Sequence, residues 1–237
     1  MFVKYLIALP ALVLALPAAA QDLRMISARV VYFQEAADNP PDLFFASAGG
    51  EFGKIRPSAG VGEASAKVAV DAAGQVSFLK TAAAGNPVAI AKVPNGITEA
   101  VFFLLRSPAA SGQSPSYKVL VADESQKTIP RGGSFVCNIG GSGARVSLGE
   151  AKYALPPGQP AYVKRPEKRD GYNMAAFHVE SQEGSAWKPV KDTMIRFSEN
   201  ERYFFIIYSE AGGAASVKIY KQFIPVVTPG SAPAAGS

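Results

Sequence analysis

The stretch 100–123, AVFFLLRSPAASGQSPSYKVLVAD, decides the fold class. Two runs rich in Val, Leu, Phe and Tyr, 100–106 and 117–123, flank a segment broken by Pro, Gly and Ser. Each run is too short for an ordinary helix, and its residues suit a half-buried pleated surface. The arrangement predicts two strands paired through a loose hairpin.

Outward from this stretch the chain repeats the pattern. MISARVVYF (25–33), ASAKVAV (64–70), QVSFL (75–79) and VAIAKV (88–93) precede it. SFVCNI (134–139), ARVSL (144–148), PAYVK (160–164), MAAFHVES (174–181), TMIRF (193–197), RYFFIIY (202–208) and SVKIYKQF (216–223) follow. Turn formers separate them at 71–74, 94–96, 140–143 and 156–158. No long window carries the i, i+3, i+4, i+7 spacing of an amphipathic helix. The expectation is an all-β protein of one or two β-sandwich, immunoglobulin-like units, mainly antiparallel.

An internal echo bears on the number of units. FFLLRS at 102–107 returns as FFIIYS at 204–209, and SYKV at 116–119 as SVKI at 216–219. The echo fits a duplicated sandwich; chance reuse of good strand sequences also produces it, because two matches fall short of a secure repeat. If there are two units, they span 21–124 and 130–224, with the polar ESQKTIPRGG (124–133) between them.

The ends differ from the middle. Lys4 precedes an apolar run from Tyr5 to Leu16, which ends at Pro17 and three alanines. That run is shorter than the roughly 20 residues needed to span a bilayer. It has the form of a signal peptide over 1–20 cleaved before Gln21, which implies export to the periplasm or beyond and a mature chain without a transmembrane segment. Residues 225–237, PVVTPGSAPAAGS, carry no charge and little to bury, and are expected to be a disordered tail. Over the whole chain, 48% hydrophobic and 18% charged residues are enough for the middle to build a core. The net charge of +5 is dispersed rather than gathered on one face, which argues against a nucleic-acid partner. One cysteine, Cys137, excludes an internal disulfide; amid strand formers it reads as a buried small hydrophobe.

The second half also carries an ordered set of turns. A P-R-G-G-S turn (130–134) leads into a strand ending at Asn138. Leu148-Gly149, L-P-P-G (155–158), W-K-P-V (187–190) and an aromatic strand after Arg202 follow. Over 117–223 this succession resembles an uncharacterised group of exported all-β proteins of Verrucomicrobia-type bacteria, with one residue more in the first turn. The resemblance implies a fold and assigns no activity.

Catalytic and metal chemistry finds little purchase. His178 is the only histidine, and no Ser stands in a G-x-S-x-G elbow. One Cys and one His make a zinc site improbable, and no catalytic, cofactor or metal residue is assigned. A calcium site is left open, since it needs only oxygen ligands that loops can supply, although the acidic stretches 37–42 and 122–125 lack the spaced D-x-D-x-D-G loop. GGSGAR (140–145) has no G-K-[ST] after it and reads as a turn. A carboxylate pair drawn from Glu150, Glu167, Glu180, Glu183 and Asp192 would serve a glycoside hydrolase, the least favoured alternative. The basic run Lys164, Arg165, Lys168 and Arg169 offers a surface for an anionic polymer, or a solvated loop. Tyr172 and Trp187 offer stacking faces for sugars, or packing surface. The expected function is a non-catalytic envelope protein that presents loops or a strand edge to another envelope protein or a cell-surface polymer. A carbohydrate-binding sandwich module is the alternative.

Overall fold

The computed structural model describes residues 23–47, 51–62, 64–83, 85–107 and 116–225. The proposed signal peptide, and the expected tail beyond Pro225, lie outside the described residues. All regular structure among the described residues is strand. The first eight strands are β1 (Arg24–Tyr32), β2 (Leu43–Ala46), β3 (Phe52–Ile55), β4 (Ala66–Val70), β5 (Gln75–Phe78), β6 (Ala89–Lys92), β7 (Glu99–Arg106) and β8 (Tyr117–Asp123). The next eight are β9 (Ser134–Asn138), β10 (Ala144–Leu148), β11 (Ala151–Leu155), β12 (Pro160–Val163), β13 (Met174–Glu183), β14 (Ala186–Arg196), β15 (Glu201–Ser209) and β16 (Ala215–Phe223).

The two sets of eight share one strand order. In the second set, one sheet runs β12-β9-β15-β16 and faces another that runs β11-β10-β13-β14. In the first set, β4-β1-β7-β8 repeats the former order within one six-stranded sheet that continues into β6 and β5 and folds over to form the second layer. There β6 joins β8 through a single ladder pair, Ala89↔Tyr117. The β2–β3 hairpin reaches β5 through the Phe44↔Leu79 bridge, which gives the order β3-β2-β5-β6. Each strand thus corresponds to the one eight places later. Even the parallel pairs agree: β1 with β7, and β9 with β15.

Alternation of side chains builds three apolar layers. Ile26, Phe78, Phe102 and Leu104 fill the first sandwich. Val146, Phe177, Phe205 and Ile207 fill the second. The third layer lies between the sandwiches, where the sheet holding β1 and β7 packs against the sheet holding β9 and β15. Val31, Phe103, Phe135, Cys137, Phe204 and Ile206 meet there, with ring centroids of Phe103 and Phe204 5.7 Å apart. Each such aromatic contributes roughly 1.5–3 kcal/mol through burial. The four sheets therefore form a stack, and the two middle ones are covered on both faces.

The turns predicted in the second half occupy backbone that favours glycine. Gly132 has φ +74°, and a Cβ there would lie 2.6 Å from Arg165 Cδ. Gly149 has φ +60° within the two-residue link of β10 and β11, and a Cβ would meet Pro166 at 2.7 Å. Three strands had no counterpart in the sequence reading. β2 and β3 have four residues each, too few for a period to show. β11 follows β10 after only Gly149 and Glu150. A fourth strand, β14, begins seven residues before the expected TMIRF segment, because Lys188, Pro189, Lys191 and Asp192 mask it.

Candidate functional site

The structure separates the two aromatic candidates. Trp187 opens β14 opposite Gln182, at the tip of the β13–β14 hairpin. Tyr172 sits in the turn before β13 and is 80% exposed. Roughly 26 Å of extended strand lies between these positions, so they form no common platform. Nor is the Trp187 indole open on both sides: the Arg145 guanidinium carbon lies 3.9 Å from its centroid.

The basic run divides between structure and solvent. Arg165 donates to Glu199 Oε1 (2.6 Å), Asn173 Oδ1 (3.3 Å) and the Phe197 carbonyl (3.1 Å), which pins the loop to the end of β14. Arg169 is half-buried. Lys164 and Lys168 are exposed. The Glu150 carboxylate accepts the backbone N–H groups of Glu167 (2.9 Å) and Lys168 (3.1 Å), and these bonds hold its pKa below the usual value. Glu150 thus orders the loop.

His178 faces outward on β13, between Ser147 of β10 and Asp192 of β14 in the ladders. Its Nε2 is 3.7 Å from Glu180 and its Nδ1 is 3.8 Å from Asp192, so carboxylates flank both nitrogens. A serine-activating imidazole needs its free nitrogen on the hydroxyl; here Glu180 stands at that nitrogen. Glu183 pairs with Lys188. Asp38 pairs with Arg106, and Asp42 with Arg56 and Lys54. Asp123 accepts from Ser125 N (2.9 Å) and Thr128 Oγ1 (2.5 Å). No group of three His, Cys, Asp or Glu side chains able to hold a metal gathers among the described residues. Cys137 lies in the layer between the sandwiches, and burial pushes its thiol up to about 12.

A polar cluster at the junction of the sandwiches escaped the sequence reading. Glu124, which the sequence places in an acidic stretch at the start of the polar segment 124–133, is 1% exposed. Its carboxylate accepts from Arg29 of β1 and from Gln222 Nε2 of β16 (3.0 Å). Its carbonyl accepts Arg202 Nη1 of β15 (2.6 Å). Burial raises the Glu124 pKa, against the opposing pull of Arg29 and Gln222. Burial likewise lowers that of Arg202. Three strands and the linker therefore meet on one residue. Only the position of Arg202 directly before an aromatic strand hinted at it.

The feature that reaches outward is the edge strand β14. Its eleven residues share a hydrogen-bonded ladder with β13 alone, at the border of an outer sheet, and β16 of the facing sheet lies beside it without a ladder pair. Phe197 donates its N–H to Asn173 on the β13 side (2.8 Å). By the alternation of an antiparallel ladder, the N–H groups of Met194 and Arg196 point away from β13. A register shift opposite Val179/Glu180, together with Lys188, Pro189 and Lys191, guards the first half of the edge. The second half, Asp192–Arg196, lacks such guards, and Met194 is 46% exposed.

No helix among the described residues is long and apolar enough to cross a membrane. No family model matches the chain, and no curated protein matches it. Among solved structures, one similar chain is a candidate cell adhesion protein from Bacteroides eggerthii DSM 20697, 10% identical over 85% of this chain and 97% of that one. The TM-score of that match is 0.20.

Proposed function

We propose that the protein is a non-catalytic, exported envelope protein whose second sandwich docks an extended segment of another protein along the free edge of β14. The observation that carries this reading is the edge itself: an eleven-residue strand bonded on one side, with its guards confined to one half. An unpaired edge is a template for strand addition. Lys191 and Arg196 make no ion pair among the described residues, so an acidic segment suits the edge best.

The test is a photo-crosslinking residue at Met194, expressed in cells of the source organism, with Ile90 of β6 as the exposed control site. A discrete adduct at 194, absent at 90 and lost when Arg196→Pro removes an edge N–H and a charge, is the expected result. Equal labelling at both sites, or an adduct that survives Arg196→Pro, overturns edge docking. Intact mass of the same preparation reads the N-terminus, expected at Gln21.

A further inference from the structure

The outward face of the β11-β10-β13-β14 sheet holds a second surface, distinct from the edge. Arg145 and Ser147 of β10, Lys152 and Ala154 of β11 and Glu180 of β13 surround an open depression of about 360 Å³. Arg145 stands directly opposite Glu180 in the ladder, where an ion pair is the ordinary outcome. Its guanidinium lies instead over the Trp187 ring at 3.9 Å. Such stacking fixes the plane of the fork and leaves its N–H groups for another acceptor.

The other donors are uncommitted too. Among the described residues the side chains of Arg145, Lys152 and Ser147 make no hydrogen bond or ion pair. Three donors, two of them cationic, thus converge on one depression with a single carboxylate at its β13 side. A planar guanidinium matches a carboxylate bidentately. Lys152 adds a second positive charge across the depression, while Ser147 and Glu180 suit ring hydroxyls, which donate and accept. Glu180 also disfavours a phosphate, whose charge of nearly −2 it repels more than the −1 of a carboxylate.

We propose that this depression binds a carboxylate-bearing sugar unit, a uronate of an acidic polysaccharide. Its carboxylate lies on Arg145 and Lys152, and its hydroxyls on Ser147 and Glu180. This goes beyond docking at the β14 edge and does not depend on it.

Trp187 is the only tryptophan, so its fluorescence reports on the Arg145 stack. The mature chain is titrated at constant ionic strength with a galacturonate oligomer, a galactose oligomer of equal length, and inorganic phosphate. The expected result is a saturable change with the galacturonate oligomer alone. Calorimetry on Arg145→Lys, which keeps the charge and loses the fork, is expected to show affinity weakened about tenfold. Lys152→Met is expected to weaken it several-fold, and Tyr172→Ala to leave it unchanged. No saturation with galacturonate, an equal response to galactose or phosphate, or unchanged affinity in both Arg145→Lys and Lys152→Met overturns the assignment. The Met194 crosslink, read separately, is unaffected by any of these outcomes.

Discussion

Asn138, fully buried at the end of β9, uses both of its N–H groups and its oxygen. Nδ2 donates to the carbonyls of Ser142 and Leu155, each at 2.8 Å, and Oδ1 accepts the N–H of Gly140 at 2.9 Å. Asn138→Ala strands two carbonyls and one N–H, and is expected to cost about 2–4 kcal/mol in urea unfolding. Glu124 calls for a pH experiment. Burial raises its native pKa above the ordinary 4.5, so the folded state holds that proton more tightly than the unfolded chain. Its contribution to stability is present below the ordinary value and is lost as pH rises through the raised one. Glu124→Gln abolishes the titration. The stability of the wild type relative to this variant is therefore expected to fall as pH is raised from about 4 to 7, and a difference constant with pH would remove Glu124 from the response. The sequence showed the type of each of these residues but not its company. Asn138 was legible because it ends a strand before a glycine turn. Glu124 was not, because an acidic residue among polar ones carries no mark of burial.

At the level of strands, the places of the turns were legible and the facing of the central strands was not. FFLLRS and FFIIYS do lie on β7 and β15, which hold equivalent places in their sheets. Aligning them letter for letter pairs Phe102 with Phe204, yet Phe102 faces the first sandwich's own core and Phe204 faces the layer between sandwiches. Phe205, opposite Val136, is the counterpart of Phe102, opposite Val30. A slip of one residue reverses every face. A strand buried on both sides loses the alternation that would have revealed it. The edge strand β14 failed for the opposite reason: Pro189 and its charges suppress a strand pattern that only an edge position permits. On the fold side, Arg196→Pro is accordingly expected to shift stability by no more than about 0.5 kcal/mol, since the N–H it removes bonds nothing within the sheet.

For the molecule as a whole, the layer between the sandwiches should govern cooperativity. Trp187 reports the second sandwich alone, whereas far-UV circular dichroism reports both. If Phe103, Phe135, Phe204 and Tyr220 bind the two into one unit, the two probes are expected to give coincident urea transitions. Phe204→Ala opens a cavity on the shared face, at a cost of about 3–5 kcal/mol, and is expected to split the transitions. Coincidence that persists in that variant would place the cooperativity elsewhere. The stacking order has one more outcome. With sheets about 10 Å apart, the two outermost ones are separated by roughly 30 Å and look in opposite directions. Anything held on the β10–β13 side is kept at a set standoff from anything touching the β2–β5 side, so the molecule behaves as a rigid spacer rather than a hinge.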